Sequence, residues 1–316
     1  MVRAQNISKV LYPNDEPEAG KELRLHQQYF FVSCSLQDMI GLTLRDTGSL
    51  NRFPDRFVVQ LNDTHPAIAI AELMRLLVDE HLMEWDRAWA ITQLTFAYTN
   101  HTLLPEALET WPVELIQHAL PRHLEIIYKI NARFLDDVRI RFLDEPARLS
   151  GMSLIDEGRG DGVRRVRIAN LACVGSMAIN GVAKLHTELL KKTVLKDFYD
   201  MWPEKFRNQT NGVTPRRFLA LANPDLAAVL EECIGDEWLR NFERIRELEP
   251  RAQDGAFRER WRAVKRLAKQ QLAAHVKGVC GVSIDPDTLF DIQVKRIHEY
   301  KRQHLNALHI VSRTTA

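Results

Sequence analysis

The run Phe57-Val58-Val59-Gln60-Leu61 passes without a spacer into Asn62-Asp63-Thr64-His65-Pro66, and from there into an apolar stripe at Ile70, Leu73, Met74 and Leu77. That succession limits the possible folds more than any other stretch. A short apolar run bounded by turn residues reads as a buried strand, and spacing at i, i+3, i+4, i+7 reads as one face of a helix. A helix that follows a strand so directly packs back on the sheet, which is the α/β arrangement with parallel strands. Asp63 or Thr64 can cap the new helix. Pro66 suits its first turn, where a missing N–H costs nothing.

The same order recurs. Ile91–Tyr98 reads as a second strand, Thr99-Asn100-His101-Thr102 as a polar turn, and a further helix opens near Pro105-Glu106-Ala107. Leu124, Ile127, Phe134 and Leu135 mark a longer amphipathic helix entered through Pro121. Residues 153–165, rich in Gly, Asp and Arg, predict an exposed loop, and 175–192 predict a helix. At Thr210-Asn211-Gly212-Val213-Thr214-Pro215 the chain turns again, with Thr214 as cap. Near this turn the reading sets a boundary between a first α/β domain, 1–209, and the start of a second, Rossmann-like one, 210–316. Glu249–Lys277 predicts a charged helix or helix pair. Leu289–Val294 alternates with period two and predicts a strand.

With 316 residues there is room for two domains, each with a core of its own. Forty-three basic and 42 acidic side chains leave a net charge of +1. Such a balance gives no global field to hold nucleic acid or an anionic membrane, so any anion site must be local. Cys34, Cys173, Cys233 and Cys280 form no C-x-x-C pair. The expectation is neither zinc nor a disulfide framework, and a reducing, cytoplasmic setting. Residues 1–15 contain no signal-peptide core, and the most apolar stretch, 168–182, is shorter than the about 20 apolar residues a membrane span needs.

Parallel strands deliver their strand-to-helix turns to one sheet edge, the usual seat of ligands in open α/β sheets. Asn62–His65 and Thr99–Thr102 would meet there, each with a histidine and small hydrogen-bonding side chains. No two histidines share a helix face four apart, so a polyhydroxylated ligand suits these turns better than a metal. Helix caps and a satisfied turn histidine account for the same residues equally well. Lys295, Arg296, His298, Lys301 and Arg302 crowd eight positions after the Leu289–Val294 run. At a strand end such a cluster suits a phosphate, since arginine offers a planar fork and lysine a point charge. A solvated basic face, or a nucleic-acid patch with steep salt dependence, is the competing reading. Asp63 and Glu106 could also serve as the carboxyl pair of a glycosidase.

Several of these stretches together resemble one family. Leu11-Tyr12-Pro13-Asn14-Asp15 with Gly20-Lys21-Glu22-Leu23-Arg24, Gln60–Pro66, Tyr98–Glu109, Thr210–Arg217 and Gln293–Gln303 are similar to the glycogen and maltodextrin (α-glucan) phosphorylases, in order, from about Asn6 to His309. The resemblance implies a two-Rossmann-domain glycosyltransferase of GT-B type with its site in the interdomain cleft. It implies reversible phosphorolysis of α-1,4-glucans to glucose 1-phosphate, with pyridoxal 5'-phosphate as cofactor and a homodimeric assembly. It further implies that His101 and Asn211 hydrogen-bond the glucose, and that Asp63, His65, Glu106 and Glu109 line the sugar pocket. Asn14–Asp15 would match a mobile gate, Arg296 and Lys301 the substrate phosphate, and Lys295 with Lys301 the cofactor phosphate.

Departures from the family pattern accompany these matches. The Schiff-base lysine belongs to a G-T-G-N-M-K run that residues 1–316 do not contain, and a glycine-rich loop expected upstream of Met1 is also missing. Met177 stands where many members have histidine, Glu16-Pro17 is atypical of animal enzymes, and the pattern stops after His309. The expectation is therefore an internal piece of a phosphorylase that is inactive by itself. A cofactor-free GT-B glycosyltransferase and a non-catalytic glucan- or anion-binding fragment are the alternatives.

Overall fold

A computed structural model of the chain describes residues 2–104, 108–143, 145–158, 160–297 and 299–314. They form two compact units, Met1–Asn211 and Gly212–Ala316. Seven strands are present among the described residues, all in the first unit: β1 Val59–Asn62, β2 Phe96–Thr99, β3 Thr110–Pro112, β4 Ile155–Asp156, β5 Arg165–Arg167, β6 Ala178–Gly181 and β7 Phe206–Asn208. The main sheet runs in the order β1-β2-β6-β7 and every neighbouring pair is parallel. A small antiparallel sheet, β3-β5-β4, lies apart from it in sequence pairing.

The expected strand–turn–helix unit is present. β1 covers the end of the apolar run, and Ile70, Leu73, Met74 and Leu77 are all fully buried. Burial of such side chains at about 25 cal/mol per Å² is what holds a helix on a sheet. The cap is not where the turn residues suggested. Asp63 instead takes a left-handed backbone, φ +64°, and its carboxylate accepts from the N–H of Thr64 at 2.8 Å. Pro66 lies in tight turns that precede the helix Ala69–Arg75.

The second unit of the pattern needs correction. Only Phe96–Thr99 is strand; Ile91–Thr95 ends the helix Trp85–Thr95, which runs into β2 with no intervening loop. β-branched residues ordinarily favour strands. Here Thr92 and Thr95 give their hydroxyls to the carbonyls of Ala88 and Ile91, both at 2.8 Å, and Ile91 is buried. Local hydrogen bonding and packing override the propensity. The helix expected near Pro105 falls on residues 105–107, outside the described residues, whereas the helix entered through Pro121 spans Pro121–Arg141. Residues 175–192 are not one helix, because β6 and its turn separate Ile168–Gly175 from Lys184–Lys192. The loop 153–165 is bracketed by β4 and β5.

A buried ionic knot ties the helices beneath the sheet. Glu72 is fully enclosed and accepts from Ser33 Oγ at 2.6 Å, Arg75 Nε at 2.7 Å and Arg75 NH2 at 3.0 Å, with His123 Nε2 at 2.6 Å. These partners come from the helix Glu18–Thr47, the Glu72 helix itself and Pro121–Arg141. Burial raises the carboxyl pKa, but His123, Arg75 and Ser33 outweigh it and bring the value down to about 2.

The second unit is helical. Pro224–Ile234 and Trp238 supply a core of Leu226, Ala227, Leu230, Ile234 and Trp238, against which Gly255–Cys280 packs. Asp254 caps that long helix by accepting from Ala256 N at 2.9 Å and Phe257 N at 3.3 Å. The strand expected over Leu289–Val294 is absent. Those residues carry no regular secondary structure, and Leu289, Val294 and Ile297 are 93%, 87% and 95% exposed. A parallel strand needs at least one neighbouring strand and cover on its faces, and the described residues of this unit contain no other strand.

Candidate functional site

The carboxyl ends of the four parallel strands meet at one edge, and the ladder continues into the turns that leave them. Asp63 N–H donates to Thr99 O at 3.0 Å, and Asn100 N–H to Asn180 O at 2.9 Å. Gln209 N–H donates to Gly181 O at 3.1 Å, and Asn211 N–H to Val182 O at 2.9 Å. These bonds place Asp63, His101 and Asn211 on turns of the same rim. The two histidine-bearing turns touch: His101 Nε2 lies 2.6 Å from Asn62 Oδ1. An amide oxygen only accepts, so Nε2 is the donor in this contact.

The strands and turns of this edge also carry bonded polar side chains. Gln60 Nε2 donates to Thr99 Oγ1 at 2.7 Å, and Thr99 Oγ1 to Asn180 Oδ1 at 2.8 Å. Asn100 is fully buried and gives its amide to the hydroxyl of Tyr98 at 3.1 Å, while its own Oδ1 has no hydrogen-bond partner among the described residues. Burial pushes the Tyr98 phenol well above its ordinary pKa, so this donor–acceptor pair stays neutral. His186 Nδ1 accepts from Val182 N–H at 3.2 Å, and burial, with His101 nearby, lowers its pKa. Gly181 is needed at the end of β6, since a Cβ there would meet Thr187 Oγ1 at 2.5 Å.

A second group adjoins Asn62. Glu109 accepts from Gln28 Nε2 at 2.9 Å, Thr64 Oγ1 at 3.2 Å and Arg24 NH2 at 3.4 Å, and His65 Nδ1 stands 3.6 Å from it. Burial alone would raise the Glu109 pKa, yet His65, Gln28 and Arg24 hold it below the usual range. The carboxylate is therefore charged near neutral pH. Arg24 NH2 is also 3.2 Å from His65 Nδ1, and a guanidinium can only donate, so that contact is a hydrogen bond when Nδ1 is unprotonated. Arg24 reaches Asp15 at 3.2 Å as well. Asp15 follows a segment strapped to the helix Glu18–Thr47: Gln27 bonds Tyr12 N at 3.1 Å and the carbonyls of Ile7 and Val10 at 2.6 and 2.8 Å. Gly20 allows that approach, because a Cβ would come within 2.0 Å of Asn14 O. Leu11, Tyr12, Arg24, Gln28, Asn62 and His65 border a cavity of about 250 Å³.

So Asp15, Asp63, His65, His101, Glu109 and Asn211 all belong to the first unit, and all but Asp15 and Glu109 sit on turns leaving the carboxyl edge. Glu106 lies outside the described residues. Sequence reasoning assigned no role to Arg24 and Gln28, and read Thr64 only as a possible helix cap and Asn62 only as a member of the turn; these four fasten the others. Arg24 stood in a quoted motif, but only its contacts show that it links Asp15, His65 and Glu109.

Lys295, Arg296 and Lys301 belong to the second unit. Lys295 and Arg296 are exposed and do not follow a strand, which corrects their expected placement at a strand end. Lys301 Nζ donates to Arg296 O at 3.2 Å, and Gln303 Nε2 to the same carbonyl at 3.0 Å. These bonds tie Lys301 and Gln303 back to the carbonyl of Arg296. A donor set of two ammonium groups and a guanidinium fits a phosphate monoester. His298 lies outside the described residues. Among the described residues no group of histidine, cysteine and carboxylate side chains could hold a metal, and no helix is long and apolar enough to cross a membrane.

A parallel α/β unit with a hydrogen-bonding rim and a buried, charged carboxylate behind it is the architecture of a ligand-binding open sheet. A family model described as carbohydrate phosphorylase matches residues 1–316, and the chain belongs to that family. It is 59% identical over 308 residues to a glycogen phosphorylase of Synechocystis sp., covering 98% of this chain and 36% of that relative's length. It is 52% identical over 317 residues to the muscle form of glycogen phosphorylase from Homo sapiens, and 51% identical to that of Ovis aries, covering 37% of each. The chain thus spans a little over a third of the curated relatives it matches.

Proposed function

We propose that the chain is the glucose-recognising part of an α-glucan phosphorylase of GT-B architecture. The whole enzyme would reversibly cleave the ends of α-1,4-glucans with inorganic phosphate to give glucose 1-phosphate, in the cytoplasm and as a homodimer. The observation that carries this reading is the shared rim, where Asn62 holds His101 beside Asp63 and Asn211. His101 Nδ1 would accept from a sugar hydroxyl, and the Asn211 amide would offer a donor and an acceptor to the same ring. Asp63, His65, Glu106 and Glu109 would line the pocket, with Glu109 kept ionised so that His65 and Arg24 stay oriented. Asp15, on the strapped segment, would close over it.

Phosphate recognition falls to Lys295, Arg296 and Lys301. Arg296 and Lys301 would neutralise the substrate phosphate, which otherwise repels any second anion. Lys295 and Lys301 would hold the phosphate of pyridoxal 5'-phosphate, whose phosphate group, when bound, serves as an acid–base partner for the substrate phosphate. The cofactor's covalent lysine is not among residues 1–316, so turnover is assigned to the whole enzyme and not to this chain alone.

The test is a maltoheptaose assay on the complete polypeptide loaded with pyridoxal 5'-phosphate. Expected are phosphate-dependent release of glucose 1-phosphate and a loss in kcat/KM of about a hundredfold for His101→Ala, equivalent to about 2.7 kcal/mol. Release of free glucose without phosphate would replace phosphorolysis by hydrolysis. Glucan retention with no turnover would leave a binding module.

A further inference from the structure

The turn that leaves β6 is held from the helix that follows it. His186, in the first turn of Lys184–Lys192, folds its ring back so that Nδ1 accepts from Val182 N–H at 3.2 Å. A backbone N–H only donates, so this bond needs the neutral ring with its proton on Nε2. Burial, with His101 nearby, favours that form. Nε2 itself is enclosed and has no hydrogen-bond partner among the described residues, so the Val182 contact sets the tautomer. Gly181 leaves room for the ring, since a Cβ there would come within 2.6 Å of Nδ1. The carbonyl of the same Val182 accepts from Asn211 N–H at 2.9 Å, which ties Asn211 to the rim. A second line from the same helix, Thr187 to Asn208 Oδ1 at 2.9 Å and Asn208 to Thr210 Oγ1 at 3.2 Å, stops one residue short of Asn211.

We propose that His186 is a positioning residue of the rim, fixing Val182 and, through the Val182 carbonyl, the place where the Asn211 amide meets a sugar. The sugar in this inference rests on the function proposed above, whereas the hold on Asn211 does not. Without an acceptor at Nδ1 the half-buried Val182 N–H loses its partner and turns toward water to recover one. The N–H and the carbonyl of Val182 flank one Cα, so rotation about φ moves the second once the first is free. Asparagine at position 186 would offer Oδ1 where the histidine has Nδ1. Leucine would fill the space and accept nothing.

The experiment compares the full chain with its His186→Leu and His186→Asn variants, by hydrogen exchange of single amides and by titration with glucose, both read by NMR. Expected in His186→Leu is exchange about tenfold faster at Asn211, the protection one hydrogen bond confers. Asn100 and Met177, whose amides bond Asn180 O and Phe96 O between β2 and β6, should keep their rates. His186→Asn should return Asn211 to the original rate. Glucose affinity should fall about tenfold with leucine and recover with asparagine. Exchange at Asn211 that ignores the leucine, that speeds up equally in both variants, or that rises together with Asn100 and Met177 overturns the proposal. Exchange that follows the ring in a chain that binds no glucose upholds the hold on Asn211 and overturns the sugar reading instead.

Discussion

The two units solve the problem of burying apolar surface in different ways. In the first, four parallel strands sit under helices, and buried side chains from the helix Glu18–Thr47 through to β7 form one core. In the second, five buried residues from a helix and its following turn carry the unit, and much of the apolar remainder, such as Phe218, Leu221, Leu289 and Ile297, faces solvent. The contrast teaches that strand-like patterning is a request for partners. β2 and β6, with neighbours on both edges, become strands despite weak or mixed signals. Residues 289–294, with a better alternation and no neighbour, do not.

That comparison can be broken most sharply at Glu72. Glu72→Ala leaves His123 buried without its carboxylate and the half-buried Arg75 with Glu80 alone, and breaking a buried pair costs about 3–5 kcal/mol. Urea denaturation followed by tryptophan fluorescence and by backbone amides should show the first unit failing while the second keeps its transition. Leu230→Ala is the reciprocal test. It empties one of five core positions, and a loss of about 3 kcal/mol should unfold Gly212–Ala316 and leave the β1–β7 amides protected from hydrogen exchange. A single shared transition in both variants would erase the distinction between the units.

Acid sharpens the same contrast. The Glu72 pKa is lowered, so its contribution is complete above the ordinary carboxylate value of 4.5 and is lost as pH falls toward about 2. The first unit should therefore weaken over that window, and Glu72→Gln should flatten the slope, as measured by denaturant midpoints at each pH. The smallest effect is expected at Asp63. Asp63→Gly relieves a left-handed backbone worth about 1 kcal/mol but removes the bond to Thr64 N–H. The net change in melting stability should stay within about 1 kcal/mol, while sugar binding to the rim, read by NMR titration with glucose, weakens.

Much of this was legible in the residues. The β1 turn and its helical stripe could be read because burial and spacing agree there. The helix through Pro121 was readable for the same reason. Thr92 and Thr95 misled, since their hydroxyls satisfy helical carbonyls that no periodicity scan registers. Ala178-Ile179-Asn180-Gly181 gave no strand signal of its own, and pairing to β2 and β7 makes it one. Of the candidate site, the residues that could face a ligand were visible as turn residues. Those that position them, Arg24 and Gln28 above all, come from a helix distant in sequence and become visible only through their contacts with Glu109 and His65.

The joint between Thr95 and Phe96, where helix becomes strand from one residue to the next, makes the rim intolerant of changes in length. One inserted residue there would turn Phe96 and Tyr98 to the opposite face of the sheet, because strand side chains alternate. It would also carry His101 out of reach of Asn62. Insertions should be accommodated in the 157–164 loop and rejected at this point, so the chain's permitted indels mark where its chemistry is anchored.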